Sequence, residues 1–95
     1  MKQSARPDFD QPALLELLEL DPAGFKARFR GTPMLRTKRR GILRNVCVAL
    51  GNVGDDSALP ALRRAAEDAE PLIAEHAQWA IGQIAVRASV KTSSM

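Results

Sequence analysis

Eight of the fourteen basic residues of this 95-residue chain stand in one stretch that contains no carboxylate. Between Pro22 and Gly54 lie Lys26, Arg28, Arg30, Arg36, Lys38, Arg39, Arg40 and Arg44, and all eleven Asp and Glu fall outside. A helix face that merely meets water usually mixes signs, with an acid three or four residues from each base. No acid stands at that spacing here. At about 100° per residue, Arg36, Arg40 and Arg44 share an arc of roughly 80° beside the apolar stripe of the same helix. Guanidiniums at i, i+4 and i+8 reach successive phosphates of a nucleic-acid backbone, each held by charge and by forked hydrogen bonds. Arg36, Arg40 and Arg44 are therefore the main candidate RNA contacts, with Lys38 and Arg39 supporting them at the helix start. Phe25 and Phe29 are spaced as core residues and leave no stacking platform, so the contact is expected to be with the backbone and not with bases. The competing reading is a plain solvated face.

Other chemistry is sparse. Cys47 is the single cysteine, which excludes a disulfide framework and any four-thiolate cluster within the chain. It reads either as a small packing residue or as a thiol whose pKa the nearby arginines lower. His76 and Trp79 stand at i, i+3. The histidine can touch a ligand or satisfy a carbonyl near a helix boundary, and the tryptophan is expected as a core wedge. No Ser/His/Asp set or glycine-rich phosphate loop is present. Asp55-Asp56 and Glu67-Asp68-Glu70 fall at helix ends, where capping accounts for them. The chain is therefore not expected to be catalytic by itself or to hold a cofactor or metal. Residues 1–10 contain no apolar run typical of a secretory signal, and no spanning segment is visible, so a cytoplasmic location without membrane attachment is expected.

These side chains need helices to carry them. Asp10 with Pro12, and Asp21 with Pro22, are cap-plus-proline helix starts. The first opens a short helix rich in leucine, Leu14 to Leu18. The second opens one ending at Gly31, with Phe25 and Phe29 on one face. A third helix runs from about Leu35 or Lys38 to Leu50, with Leu43, Val46, Leu50 and Val53 at 3/4 spacing. After a stop-and-restart cluster at 51–56, Ser57 to Glu67 is helical with Leu59 and Leu62 inward, Pro60 being tolerated in the first turn. Glu70-Pro71 starts the last helix. The segment Arg44 to Val53 matches Glu75 to Ile84, pairing Ala49 with Ala80, Leu50 with Ile81 and Gly51 with Gly82. A helix-pair period near 30 residues marks an α-solenoid, and its small residues let helices approach closely. The expected fold is all-α, a HEAT-like α-solenoid fragment of about two antiparallel helix pairs with four to five helices. It spans residues 10–87, with flexible tails at 1–9 and 88–95. Two units are fewer than the three or so needed for stability alone, which suggests either the end of something larger or a pair capped by the first two helices.

The run Phe25, Phe29-Arg30-Gly31-Thr32-Pro33, Arg36, Arg39-Arg40-Gly41-Ile42-Leu43-Arg44-Asn45-Val46 and Ala49-Leu50-Gly51-Asn52, followed by His76 and Trp79-Ala80-Ile81-Gly82, resembles the C-terminal region of the epoxyqueuosine reductase family. The resemblance covers residues 10–86. It implies part of an oxidoreductase that reduces epoxyqueuosine to queuosine in tRNA, using cobalamin and two [4Fe-4S] clusters held by upstream domains this chain lacks. None of that chemistry transfers to a residue here. The tRNA-holding role does, onto Arg36–Arg44, with the reductase's catalytic domains as a further possible partner and no DNA expected. The alternatives are a HEAT-like protein–protein interaction scaffold and a structural end-piece that covers the catalytic domains.

Overall fold

Aspartates begin the first two helices by the same device. The Asp10 carboxylate accepts the amide of Ala13 at 3.2 Å and opens α1, Gln11–Leu18; that of Asp21 accepts the amide of Gly24 at 2.7 Å and opens α2, Pro22–Phe29. Each satisfies an amide that has no intrahelical partner, and each is followed by a proline whose missing donor costs nothing in the first turn. α2 stops where Gly31 takes φ +78°, a left-handed conformation that a side chain would strain. A computed structural model describes residues 10–33 and 38–93, with side chains to residue 89.

α3 spans Arg39–Val53. A 3-10 turn at Asp56–Ala58 then leads into α4, Leu59–Ala65, with Pro60 in its first turn, and α5 runs Pro71–Ser93. The described residues thus form five α-helices and no strand. Several bounds differ from expectation, among them that of α3, which runs to Val53 and not only to Leu50. α4 is shorter at both ends than the expected Ser57–Glu67: Ser57 and Ala58 belong to the 3-10 turn, and after Ala65 the chain tightens into turns in which Glu67 and Asp68 donate to the carbonyls of Arg64 and Ala65. α5 continues past Ala88 to Ser93, since neither glycine nor proline interrupts residues 83–93.

The longest helices make the main contact, α5 lying along α3, while α4 also packs on α5 and α1 packs on both α3 and α4. Leu43, Cys47, Leu50, Leu62 and Ile73 are fully enclosed, and among the described residues no polar side chain is buried. Phe25 brings α2 into this core and meets Phe29 with ring centroids 4.8 Å apart.

The internal repeat holds in part. Ile42 and Ile73 are both buried, as are Val46 and Ala77, but buried Cys47 corresponds to exposed Gln78 and buried Gly51 to exposed Gly82. α3 buries a wider apolar arc, Ile42, Leu43, Val46, Cys47 and Leu50, whereas α5 buries the narrow row Ile73, Ala77, Ala80 and Ile84. Three expectations are corrected here. Trp79 is 40% exposed and is not a core wedge. It stands one step off the buried row, which Ala77 and Ala80 keep thin enough for α5 to close on α3. Val53, at the end of α3, is 40% exposed as well. Close approach needs a glycine at position 51, where an added Cβ would lie 2.4 Å from Trp79 Cζ3, but not at Gly82, which faces open space.

Candidate nucleic-acid interface

The first turn of α3 gathers cations where the helix dipole disfavours them. Lys38 is the N-cap, with its carbonyl accepting from Gly41 and Ile42 and no side-chain cap, and Arg39 and Arg40 follow with no acid in the turn. Positive charge at a helix N-terminus costs a few tenths of a kcal/mol per residue. This arrangement therefore needs either compensation within the fold or an anion from outside.

Arg39 has the first. Its Nε donates to the Leu20 carbonyl at 2.9 Å, and its two terminal nitrogens fork onto Asp68, Nη1 reaching Oδ1 at 3.3 Å. Both side chains are 15% exposed. Asp68 also accepts the Glu70 amide at 2.9 Å, so the pair ties the α1–α2 loop, the start of α3 and the α4–α5 loop together. The Arg39 hydrogen bond holds the Asp68 carboxyl below the usual carboxylate range against the opposing effect of burial. Arg39, named from the sequence as a supporting RNA contact, is thus engaged by the fold. Two further cations find distant acids. Arg28 lies 3.9 Å from Glu16, and Arg64 forks onto Glu19, whose carboxyl is lowered chiefly by that hydrogen bond. The acid-free stretch is therefore not free of acid partners in space.

Arg40 and Arg44 differ. Arg40 is exposed, half-buried Arg44 donates from Nε to its neighbour Asn45 at 3.1 Å, and Lys38 is exposed. Among the described residues no carboxylate lies within ion-pairing distance of these three. Arg36 lies outside the described residues, so the ladder on α3 consists of Arg40 and Arg44.

Cys47 is fully enclosed, and burial pushes its thiol up to about 11. The packing role prevails over thiol activation. His76 Nδ1 donates to the Leu72 carbonyl one turn earlier at 2.8 Å. Sequence reasoning missed the surface this creates: His76, Glu75 and Trp79 of α5 and Val48 and Asn52 of α3 line an open groove of about 470 Å³. The signal was available in the 31-residue register, which sets Trp79 against Val48 on neighbouring equivalent helices, but the tryptophan's size favoured a core position. Among the described residues no group of three or more His, Cys, Asp or Glu is placed to hold a metal ion, and no helix is long and apolar enough to cross a membrane.

No family model matches the chain, and no solved structure matches it. Curated relatives do. An epoxyqueuosine reductase from Xanthomonas campestris is 39% identical over 80 residues, covering 83% of this chain and 22% of that relative. One from Alicycliphilus denitrificans is 39% identical over 94 residues, covering 84% and 26%. One from Salmonella typhimurium is 36% identical over 80 residues, covering 84% and 21%. The chain spans about a fifth to a quarter of the length of these relatives, so over most of its own residues it is similar to one region of proteins named epoxyqueuosine reductase.

Proposed function

We propose that this chain is a tRNA-holding helical region, HEAT-like in arrangement, of the kind carried by an epoxyqueuosine reductase. Lys38, Arg40 and Arg44 contact backbone phosphates. The observation that carries this reading is selective pairing. Arg28, Arg39 and Arg64 each have a carboxylate, whereas Arg40 and Arg44, on one side of α3 beside its dipole-positive end, have none among the described residues. The relatives' name supplies the substrate class, epoxyqueuosine, and the family resemblance implies that this nucleoside is carried in tRNA.

The chain's own residues take no part in the reduction. Each [4Fe-4S] cluster that the resemblance implies needs about four ligand side chains, normally thiolates. The chain has one thiol, and it is buried. These residues do not fit such a cluster, and none is assigned to a corrinoid. Reduction belongs to the catalytic domains, which this region partners in binding.

The test is a salt titration of tRNA binding. Each phosphate contact adds about 0.7–0.9 to the slope of log K against log salt. Replacing Arg40 and Arg44 together with Gln should flatten that slope by roughly 1.4–1.8 and weaken all tRNAs about equally, with the helical spectrum intact. An unchanged slope would make the row a solvated face. Exposed Val53 and Val86 favour a second reading, a protein-binding scaffold, which predicts salt-insensitive binding to a protein.

A further inference from the structure

We infer that the groove between α3 and α5 is a nucleobase-stacking subsite, in which an unpaired base of RNA lies on Trp79 while its flanking phosphates rest on Arg44 and Arg40. This rests on the RNA-holding reading and adds a base contact to what was otherwise a contact with the backbone alone.

Four observations converge on it. The Trp79 ring is braced against Gly51, leaves 40% of its surface exposed and lines the groove with Val48. A flat, apolar, braced ring is the platform on which bases stack in single-strand recognition. Polar groups line the groove as well. The Asn52 amide carries a donor and an acceptor, the Glu75 carboxylate accepts, and His76, whose Nδ1 donates to Leu72, keeps Nε2 as an acceptor in its neutral ring. Glu75 repels a phosphate but accepts from an exocyclic amine, so the groove selects a neutral base and keeps the backbone outside.

The charges also place that backbone. Arg40, Arg44, Val48 and Asn52 follow one another at i, i+4, i+8 and i+12 on α3, each about 6 Å further along the axis and turned by about 40°. The cationic row therefore leads into the groove from one end. The same row repels the competing occupant, a cationic peptide that could stack an arginine on Trp79 and pair it with Glu75.

Trp79 is the single tryptophan and the chain has no tyrosine, so its emission reports this subsite directly. The purified full chain is titrated with tRNA, with a single-stranded oligoribonucleotide and with heparin, a polyanion without bases. Both RNAs should quench Trp79, and heparin should bind without quenching. Trp79→Ala should weaken the oligoribonucleotide roughly 5- to 150-fold, with Trp79→Phe recovering part of the loss, and leave the salt slope unchanged because no phosphate contact is removed. Circular dichroism checks the variants, and if Trp79→Ala does not fold, the wild-type quenching decides. Equal quenching by heparin, or an unchanged affinity in folded Trp79→Ala, overturns the subsite. So does an arginine-rich peptide that shifts the emission at lower concentration than RNA. Steep salt-dependent RNA binding with a silent Trp79 overturns the subsite and leaves the backbone contact standing. A wild-type chain that shows no salt-dependent RNA binding overturns both.

Discussion

Arg39 and Arg40 are neighbours in sequence and opposites in role. Arg39 joins the α1–α2 and α4–α5 loops at the start of α3 and is fixed by Leu20 and Asp68, while Arg40, turned about 100° further round α3, meets solvent. Removing the Arg39 guanidinium leaves Asp68 with the Glu70 amide but without its forked partner, in a place that is 15% exposed. Arg39→Ala should therefore cost about 1–3 kcal/mol in denaturant unfolding, while Arg40→Gln should leave stability nearly unchanged. The pH dependence follows from the direction of the Asp68 shift. Its carboxyl ionises more readily in the folded chain than in the unfolded one. The pair's contribution is thus present above the ordinary carboxylate pKa of about 3.9 and is lost as pH falls through the lower folded value. An Arg39→Ala chain whose acid-unfolding profile overlies that of the wild type would refute the assignment.

Among the elements, α3 and α5 share a sequence pattern but not an environment, and two glycines make the difference measurable. Gly51 is buried under the Trp79 ring, and Gly82, its counterpart, is exposed with no atom near an added Cβ. Both lie inside helices, where alanine is intrinsically better than glycine by about 0.5–1 kcal/mol. Gly82→Ala should deliver that gain. At Gly51→Ala the ring must move, and overpacking of about 1–3 kcal/mol should outweigh the propensity. In a domain of this size 1 kcal/mol shifts Tm by about 4–8 °C, so thermal melts should move in opposite directions for the two variants. Melts that rise together would mean that Trp79 does not rest on Gly51.

Over the whole molecule, net charge +3 gives weak general attraction for polyanions, and the distribution of pairing decides where they sit. Arg64 is as exposed as a binding residue would be, yet it forks onto Glu19 across from α4 to the end of α1. Arg64→Gln should consequently reduce tRNA affinity less than Arg40→Gln at the same salt, measured by filter binding. A larger loss at Arg64 would move the RNA surface to the α1–α4 side. Stability at this scale is modest, because a chain of this length buries only about 60–65% of its unfolded surface.

The sequence by itself determined that the chain is helical and where the first two helices and the last one start. Asp-Pro pairs cap locally, leucine and valine spacing fixes which face is apolar, and both act within a few residues of one another. It also isolated the cationic stretch from which Arg40 and Arg44 emerge, and the likeness to a family region that the relatives then bore out over most of the chain. It did not determine which cations were free. Arg39 with Asp68, and Arg64 with Glu19, are joined across 29 and 45 residues, and no local spacing encodes such pairs. Nor did it place Trp79, because a large aromatic on an amphipathic helix is consistent with either side of the interface. The choice fell to packing: Ala77 and Ala80 let α5 approach α3 until no room remained for the indole, and Gly51 left it a shelf at the surface.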